Sequence, residues 1–393
     1  SALVDQSLVQ QREEDGEARF GMLQVIHEYA LERLAAQAAE AEALRRSHAA
    51  YSLALAERAE PTLTGPEQGV WLERLEREHD NLRAALTWAL GTHLGAQFGA
   101  GEIAPNLETG LRLVAALHRF WFVRGHLREG RAWVDTLLAQ EPTPAQDPGS
   151  GSVGMHETAD VAGDAGKSAK LWARALLAGG TLAMWQGDIA AAEPWLTTAV
   201  ARARAADDLL TVTRALLNLG TLALHQNDFA RAGAYYEESL ALAREIGDLR
   251  GVAVALNNLG NVAVYQDNLA RAADLFAEGL ALMRQQGGRN SIAGFLLNQG
   301  WVARKQGALS EAAARQCEAL TLARELDDAR LCVEVLEYLA ATAGTAEQGA
   351  RAARLLGAAA AVRETLGAPQ PPQEQAEVEE AVASARAALG EAA

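Results

Sequence analysis

The chain of 393 residues is short of cysteine, proline, aromatics and basic side chains. Its two cysteines, Cys317 and Cys332, cannot build a disulfide framework and stand at no metal-ligand spacing, so a reducing compartment is expected. Aromatics are 5% of the chain, and strand-forming runs of Val, Ile, Thr and aromatics almost vanish after the first 25 residues, which excludes a β-rich fold. Lys and Arg number 35 against 51 Asp and Glu, and the net charge of −16 argues against a nucleic-acid surface, which needs clustered cations. No apolar run approaches the roughly 18 residues that span a bilayer, and no charged-then-apolar leader opens the sequence. A cytoplasmic chain without membrane or direct nucleic-acid partners is expected.

What the chain has in abundance is alanine, leucine, arginine and glutamate, which lose little freedom in helices. It also has a repeat. Gly180, Gly220, Gly260 and Gly300 stand 40 residues apart. Each is followed six positions on by glutamine (Gln186, Gln226, Gln266, Gln306) and twelve on by alanine (Ala192, Ala232, Ala272, Ala312). Four further on come Leu196, Tyr236 and Phe276, with Gln316 as the exception. Weaker copies are placed at Ala340, Ala352 and Leu356 and, earlier, at His118, Gly130 and Val134. A helix-interior glycine costs about 1 kcal/mol relative to alanine, so its recurrence implies a crossing helix that leaves no room for a Cβ. The small alanine of the second helix is the expected partner. Each repeat reads as helix, polar turn, helix, and such hairpins bury their apolar faces only by stacking.

Leu219-Gly220, Ala232 and Tyr236 reproduce the Leu-Gly, Ala, aromatic pattern of the tetratricopeptide repeat, which the region 168–360 resembles. The period exceeds the usual figure of about 34 and is similar to the longer-helix arrays of kinesin light chain. The resemblance implies an all-α, right-handed superhelical solenoid with a concave ligand groove. The residue two before each glycine would face that groove, and at Asn218, Asn258 and Asn298 an asparagine stands there, whereas Ala178 breaks the series. In such arrays this asparagine holds the backbone of a bound peptide, which an amide can do because it both donates and accepts. Arg174, Arg214, Asn257, Asn261, Thr221, His225, Tyr265, Trp301, Arg304 and Lys305 are expected beside it. The competing assignment is that the asparagines cap turns or bond neighbouring helices and that Trp and Tyr belong to the core.

The two ends differ in kind. Leu3-Val4 and Ser7-Leu8-Val9 read as strand, Asp15-Gly16 as a hairpin turn, Ala18–Leu23 as a second strand and Val25–Leu34 as a helix. This looks like the back half of a winged-helix domain. The wording "SLVQQ…ARFGMLQVIHEYALERL", then "HAAYSLALAERAEPTLTGPEQGVWLERLEREHDNLRAALTWAL", and the C-terminal "ARLLGAAAAVRETLGAPQPPQEQAEVEEAVASARAALGE" resemble the arm and sensor of STAND-type signalling ATPases. These are bacterial regulators of the maltose-activator, LuxR-like and antibiotic-regulator sort. The resemblance implies a sensor whose groove takes an inducer (peptide, protein or small molecule) and controls a nucleotide-binding core, absent from this sequence, in the same polypeptide. The expected layout is 1–36 winged-helix fragment, 37–140 helical arm, 141–167 flexible linker, 168–366 repeat array and 367–393 capping helix. The stretch 91–106 is a further expected loop. The alternatives are a constitutive protein-binding scaffold and, more remotely, an enzyme using 141–167 as a lid.

No catalytic centre, cofactor or metal site is expected. Gly166-Lys167-Ser168 has the end of a phosphate-binding loop, but Val161 occupies the first glycine position, and the segment reads as linker ending in an N-cap at Ser168. The eight histidines (27, 48, 79, 93, 118, 126, 156 and 225) never fall at i, i+4 with a second ligand, so zinc is not expected. Glu28, Glu76 and Glu78 lie beside arginines and read as solvated ion-pair partners, as does the Arg-Glu alternation of the second helices.

Overall fold

Helix starts recur every 20 residues through the second half of the chain, twice as often as the glycine repeat. The computed structural model describes residues 4, 6, 8–14, 17–64, 67–91, 105–141, 159–326, 328–366 and 372–389. Among these are one β-hairpin, β1 (Gln10–Glu14) and β2 (Glu17–Gly21), and seventeen α-helices. The helices before the array are α1 (Gln24–Ala35), α2 (Ala38–Ala59), α3 (Gln68–Arg77), α4 (His79–Leu90), α5 (Pro105–Arg124) and α6 (Leu127–Leu138). The array follows as α7 (Ala159–Trp185), α8 (Ile189–Ala205), α9 (Leu209–His225), α10 (Phe229–Glu245), α11 (Leu249–Tyr265), α12 (Leu269–Gln286), α13 (Arg289–Lys305), α14 (Leu309–Glu325), α15 (Ala329–Thr345) and α16 (Gly349–Leu366), then α17 (Pro372–Leu389). The chain divides into two compact units, residues 1–182 and 183–393.

The 20-residue beat has a local cause. The side chains of Asp188, Asp208, Asp228, Asp248, Asn268 and Asp328 each accept a hydrogen bond from the backbone N–H three residues on, capping α8, α9, α10, α11, α12 and α15. The residue before the cap turns left-handed: Gly187, Gly247, Gly287 and Gly307, or Asp207, Asn227, Asp267 and Glu347. Glycine, asparagine and aspartate tolerate that backbone, so each helix stops and the next starts within three residues.

In the second unit the repeating glycines are buried where neighbouring side chains pass. A Cβ on Gly220 would lie 2.4 Å from the Tyr236 ring, one on Gly260 2.3 Å from the Phe276 ring, and one on Gly300 2.8 Å from Gln316. The partner of each glycine is therefore the large residue sixteen positions on, not the alanine expected from sequence. The buried alanines Ala232 and Ala272 instead let the helices approach, while the missing Cβ makes room for a ring. Gln316, the exception in that series, is fully buried; its Oε1 accepts a hydrogen bond from Thr342 at 2.9 Å, while its Nε2 is buried without a hydrogen-bond partner. Tyr236 is likewise buried, and its hydroxyl meets that of Thr221 at 3.2 Å. The exposed sides of the second helices carry ion pairs between successive hairpins, Arg204–Glu238, Arg244–Glu278 and Arg284–Glu318, with Arg271–Glu237 beside them. These residues lie on the solvated face expected of them and also pair each repeat with the next. At the end of the array α17 closes on α15 and α16, where Ser384 donates to the Gly344 carbonyl at 3.0 Å.

In the first unit the β-hairpin pairs Glu14 with Glu17 and Gln10 with Gly21. The first strand thus starts later than expected: it is the polar run beside the turn, and not Leu8-Val9, that pairs. The expected turn at Asp15-Gly16, the loop through 92–104 and residues 142–158 of the expected linker lie outside the described residues. Helices α2, α5 and α6 are joined by Arg112, which grips Glu57 with two bonds of 2.8 and 2.9 Å, and by Trp121, whose ring lies where a Cβ on Gly130 would be. Helix α7 begins at Ala159, inside the segment read as linker. Ser168 is consequently a helix-interior residue and not an N-cap, and Gly166-Lys167-Ser168 is helix, not a phosphate-cradling loop. The first-unit part of α7 is pinned by Arg174 to Glu60 at 3.1 Å.

Candidate functional site

The first helices α9, α11 and α13 of the second unit share one polar face, and the spacing of the repeat decides what meets on it. One repeat less one helical turn is 36 residues, and aromatic rings meet at that interval: Phe229 stacks on Tyr265 at 5.6 Å, and Tyr265 meets Trp301 edge-on at 5.6 Å. Tyr338 of α15 continues the ladder, 6.1 Å from Trp301. Tyr265 is 39% exposed, whereas Trp301 is 4% exposed, so the ladder surfaces at its Tyr265 end. The same interval separates Arg214 of α9 from Arg250 of α11, flanked by the exposed Leu210 and Val254. Amides lie further along. Asn298 donates to Asn257 at 2.8 Å, so one member of the asparagine series bonds a neighbouring helix. Asn218, Asn258 and Asn261 are half-buried on the same face, and the Asn261 side-chain oxygen is buried without a hydrogen-bond partner.

Two ionisable groups of this face are shifted by their surroundings. His225 and Arg250 have surface open to solvent. Yet burial holds the pKa of His225 below its ordinary value, and burial, reinforced by the charge of Arg214, lowers that of Arg250. Lys305 is exposed at the equivalent position of α13.

Two expected groove residues do not line it. Trp301 lies beneath the surface between Tyr265 and Tyr338. Arg304 is 6% exposed, with its pKa lowered by burial and its guanidinium 3.7 Å from Glu380 of α17. The neighbours come from elements that follow: Tyr338 of α15 meets Trp301, and Glu380 of α17 stands beside Arg304. Arg174 and Thr221 are engaged in the structural contacts described above. Conversely, Leu210, Arg250 and Val254 join the face without having been singled out. Their signal is the repeat register itself, since Arg250 is 40 residues after Leu210 and Val254 is 40 after Arg214. A cleft lined by Phe229, Gly233, Glu237, Val262, Gln266 and Arg271 adjoins the Phe229 end of the aromatic ladder.

Comparison with known proteins settles the architecture. The tetratricopeptide repeat family model matches residues 173–245 and 211–285. Residues 173–285 are tetratricopeptide repeats. A second model, anaphase-promoting complex subunit 5, matches residues 261–342. Among solved structures the chain is similar to a Rap protein complexed with competence and sporulation factor, with TM-score 0.53 and 11% identity over 81% of this chain and 77% of that one. It is also similar to a STAND protein with a tetratricopeptide repeat sensor from Pyrococcus horikoshii, with TM-score 0.49 and 12% identity over 100% of this chain and 58% of that one. Among curated sequences a protein of Mycobacterium tuberculosis named as an HTH-type transcriptional regulator is 34% identical over 139 residues. That match covers 35% of this chain and 14% of the relative, so the chain spans a small part of the curated protein it resembles. The tetratricopeptide array is a binding scaffold in type, and no catalytic family is indicated.

Proposed function

We propose that the chain is the sensing module of a STAND-type bacterial regulator, binding an inducer on the face of α9, α11 and α13. Binding there acts on a nucleotide-binding core of the same polypeptide, as the sequence resemblance implies. Residues 1–36 then belong to a winged-helix domain, and 37–140 form the arm that passes the signal on. The regulator context draws support from the 34% identity to a longer protein named as a transcriptional regulator.

The observation that carries the binding reading is the array of Arg214, Arg250, His225, Asn218, Asn258 and Tyr265 on the first helices, beside exposed Leu210 and Val254. Guanidinium groups take carboxylates, amides take peptide backbone in either sense, and the tyrosine ring with the two aliphatic side chains anchors apolar groups. A peptide segment carrying an acidic group satisfies all three. Three amide–backbone bonds at about 1 kcal/mol each fall short of the roughly 8 kcal/mol of micromolar affinity, so the apolar and charged contacts must supply most of it.

The test is selection of a displayed random-peptide library on the full chain, followed by affinities of the enriched peptides for variants. Asn258→Ala, Arg250→Glu and Tyr265→Ala should each weaken binding about tenfold or more, or 1.4 kcal/mol. Arg244→Glu, on the second helices, should not. Enriched peptides that bind all four variants alike would place recognition elsewhere.

A further inference from the structure

Glu76, His79 and His126 come from three different elements of the first unit and meet at one point. Glu76 is in the last turn of α3, His79 opens α4, and His126 is the N-cap residue of α6, brought back by the left-handed Gly125. One ligand atom from each lies within 4.8 Å of the others. The Glu76 carboxylate is 3.0 Å from His126 Nε2 and 3.9 Å from His79 Nδ1. Four-coordinate zinc with bonds of about 2.0–2.1 Å needs ligand atoms about 3.4 Å apart, so side-chain adjustments of about an ångström close the site.

The surroundings are built as such a site requires. The two imidazoles lie 4.5 Å apart, and both rest on the buried Phe120 ring, His79 edge-on at 5.3 Å and His126 at 5.7 Å. His79 is 7% exposed, and its Nε2 is buried without an aligned hydrogen bond, although Glu129 Oε1 stands 3.2 Å away. Glu129 is itself held by Arg83 through two bonds of 2.7 and 2.6 Å. A carboxylate behind one ring nitrogen, with the other nitrogen turned toward two further ligands, is the outer-shell arrangement that orients metal-bound histidine. Glu76 and His126 keep 40% and 28% of their side-chain surface open, which leaves an entry path and a coordination position for water.

We propose that Glu76, His79 and His126 bind one divalent transition-metal ion, zinc in the first instance, with Glu129 as the positioning residue behind His79. Two imidazole nitrogens and one carboxylate favour zinc, cobalt, nickel or copper over calcium and magnesium, which take oxygen ligands. The neighbouring cations work against binding, since Arg124 lies 3.8 Å from Glu76. Arg83, by contrast, is occupied by Glu129 and orients it.

The test is titration of the chelator-stripped full chain with Co2+, read by the visible bands of four-coordinate cobalt, and displacement of that signal by Zn2+. One equivalent should bind. His79→Ala, His126→Ala and Glu76→Ala should each lose affinity at least tenfold, and Glu129→Gln about 10–100-fold with the cobalt spectrum altered. His27→Ala, an exposed histidine of α1 outside the cluster, should bind as the parent does. If His79→Ala fails to fold by far-UV circular dichroism, His126→Ala decides, because that side chain is partly open to solvent. No saturable binding up to roughly 1 mM Co2+, or binding that survives in His126→Ala, would overturn the proposal.

Discussion

Replacing Gly260 with alanine places a methyl group where the Phe276 ring already stands. The added carbon would lie 2.3, 2.6 and 2.7 Å from three ring atoms, inside any real contact distance. Phe276 is fully buried and in edge contact with Phe295 at 6.5 Å, so the ring has little room to retreat. In open space the substitution would stabilise a helix by about 1 kcal/mol. Overpacking costs about 1–3 kcal/mol, so the crossing should win and the array should lose stability overall. Gly294, in α13, is the control: a Cβ there meets nothing within 4 Å, so Gly294→Ala should gain about 1 kcal/mol. Urea unfolding of the full chain followed by far-UV circular dichroism measures both, with midpoints compared at matched slope because repeat arrays can depart from two-state behaviour. Pairing Gly260→Ala with Phe276→Leu should recover part of the loss, a coupling of about 0.5–3 kcal/mol for residues in contact. Equal stability of Gly260→Ala and Gly294→Ala would refute the packing account of the glycine repeat.

Trp301→Ala should destabilise the array by about 3–5 kcal/mol, because the ring is buried, whereas Tyr265→Ala should cost much less; thermal melts separate the two. Burial pushes the Tyr236 pKa up to about 12, so the fold favours its protonated form. The unfolded chain then releases that proton first, near pH 10, so stability is intact below about pH 10 and falls by up to roughly 1.4 kcal/mol per unit toward pH 12. Tyr236→Phe should flatten that alkaline decline, measurable from urea midpoints between neutral and high pH. Arg244→Glu, which breaks an exposed inter-repeat ion pair, should cost about 0.2–1 kcal/mol and less at high salt, as read from melts over a salt series.

The array was legible because its glycines are under a steric constraint with a fixed period, and such a constraint survives wherever other positions drift. Its partner was misread: Ala232 and Tyr236 both recur at fixed offsets from the glycine, and spacing alone cannot say which one fills the missing Cβ. The caps are hard to see in sequence as a 20-residue series because asparagine at 268, glycine at 288 and alanine at 308 interrupt the aspartates. At the N-terminus the apolar Leu8-Val9 suggested strand, but a tight turn fixes pairing in its flanking residues, and those are the polar Gln10–Glu14. The groove is legible in register but not in depth, as Trp301 and Arg304 show, because their neighbours Tyr338 and Glu380 come from α15 and α17. The Glu76–His79–His126 cluster is invisible to any i, i+4 search. Its members are brought together by the α3–α4 junction and the turn at Gly125, whereas sequence alone shows Glu76 only as a neighbour of arginines.

Recognition by the first-helix face is tested most directly by photo-crosslinking. A benzoylphenylalanine placed at Asn258, on α11, should capture a selected peptide, and the same probe at Glu238, on the second helix α10, should not. Capture at Glu238 with none at Asn258 would contradict the account.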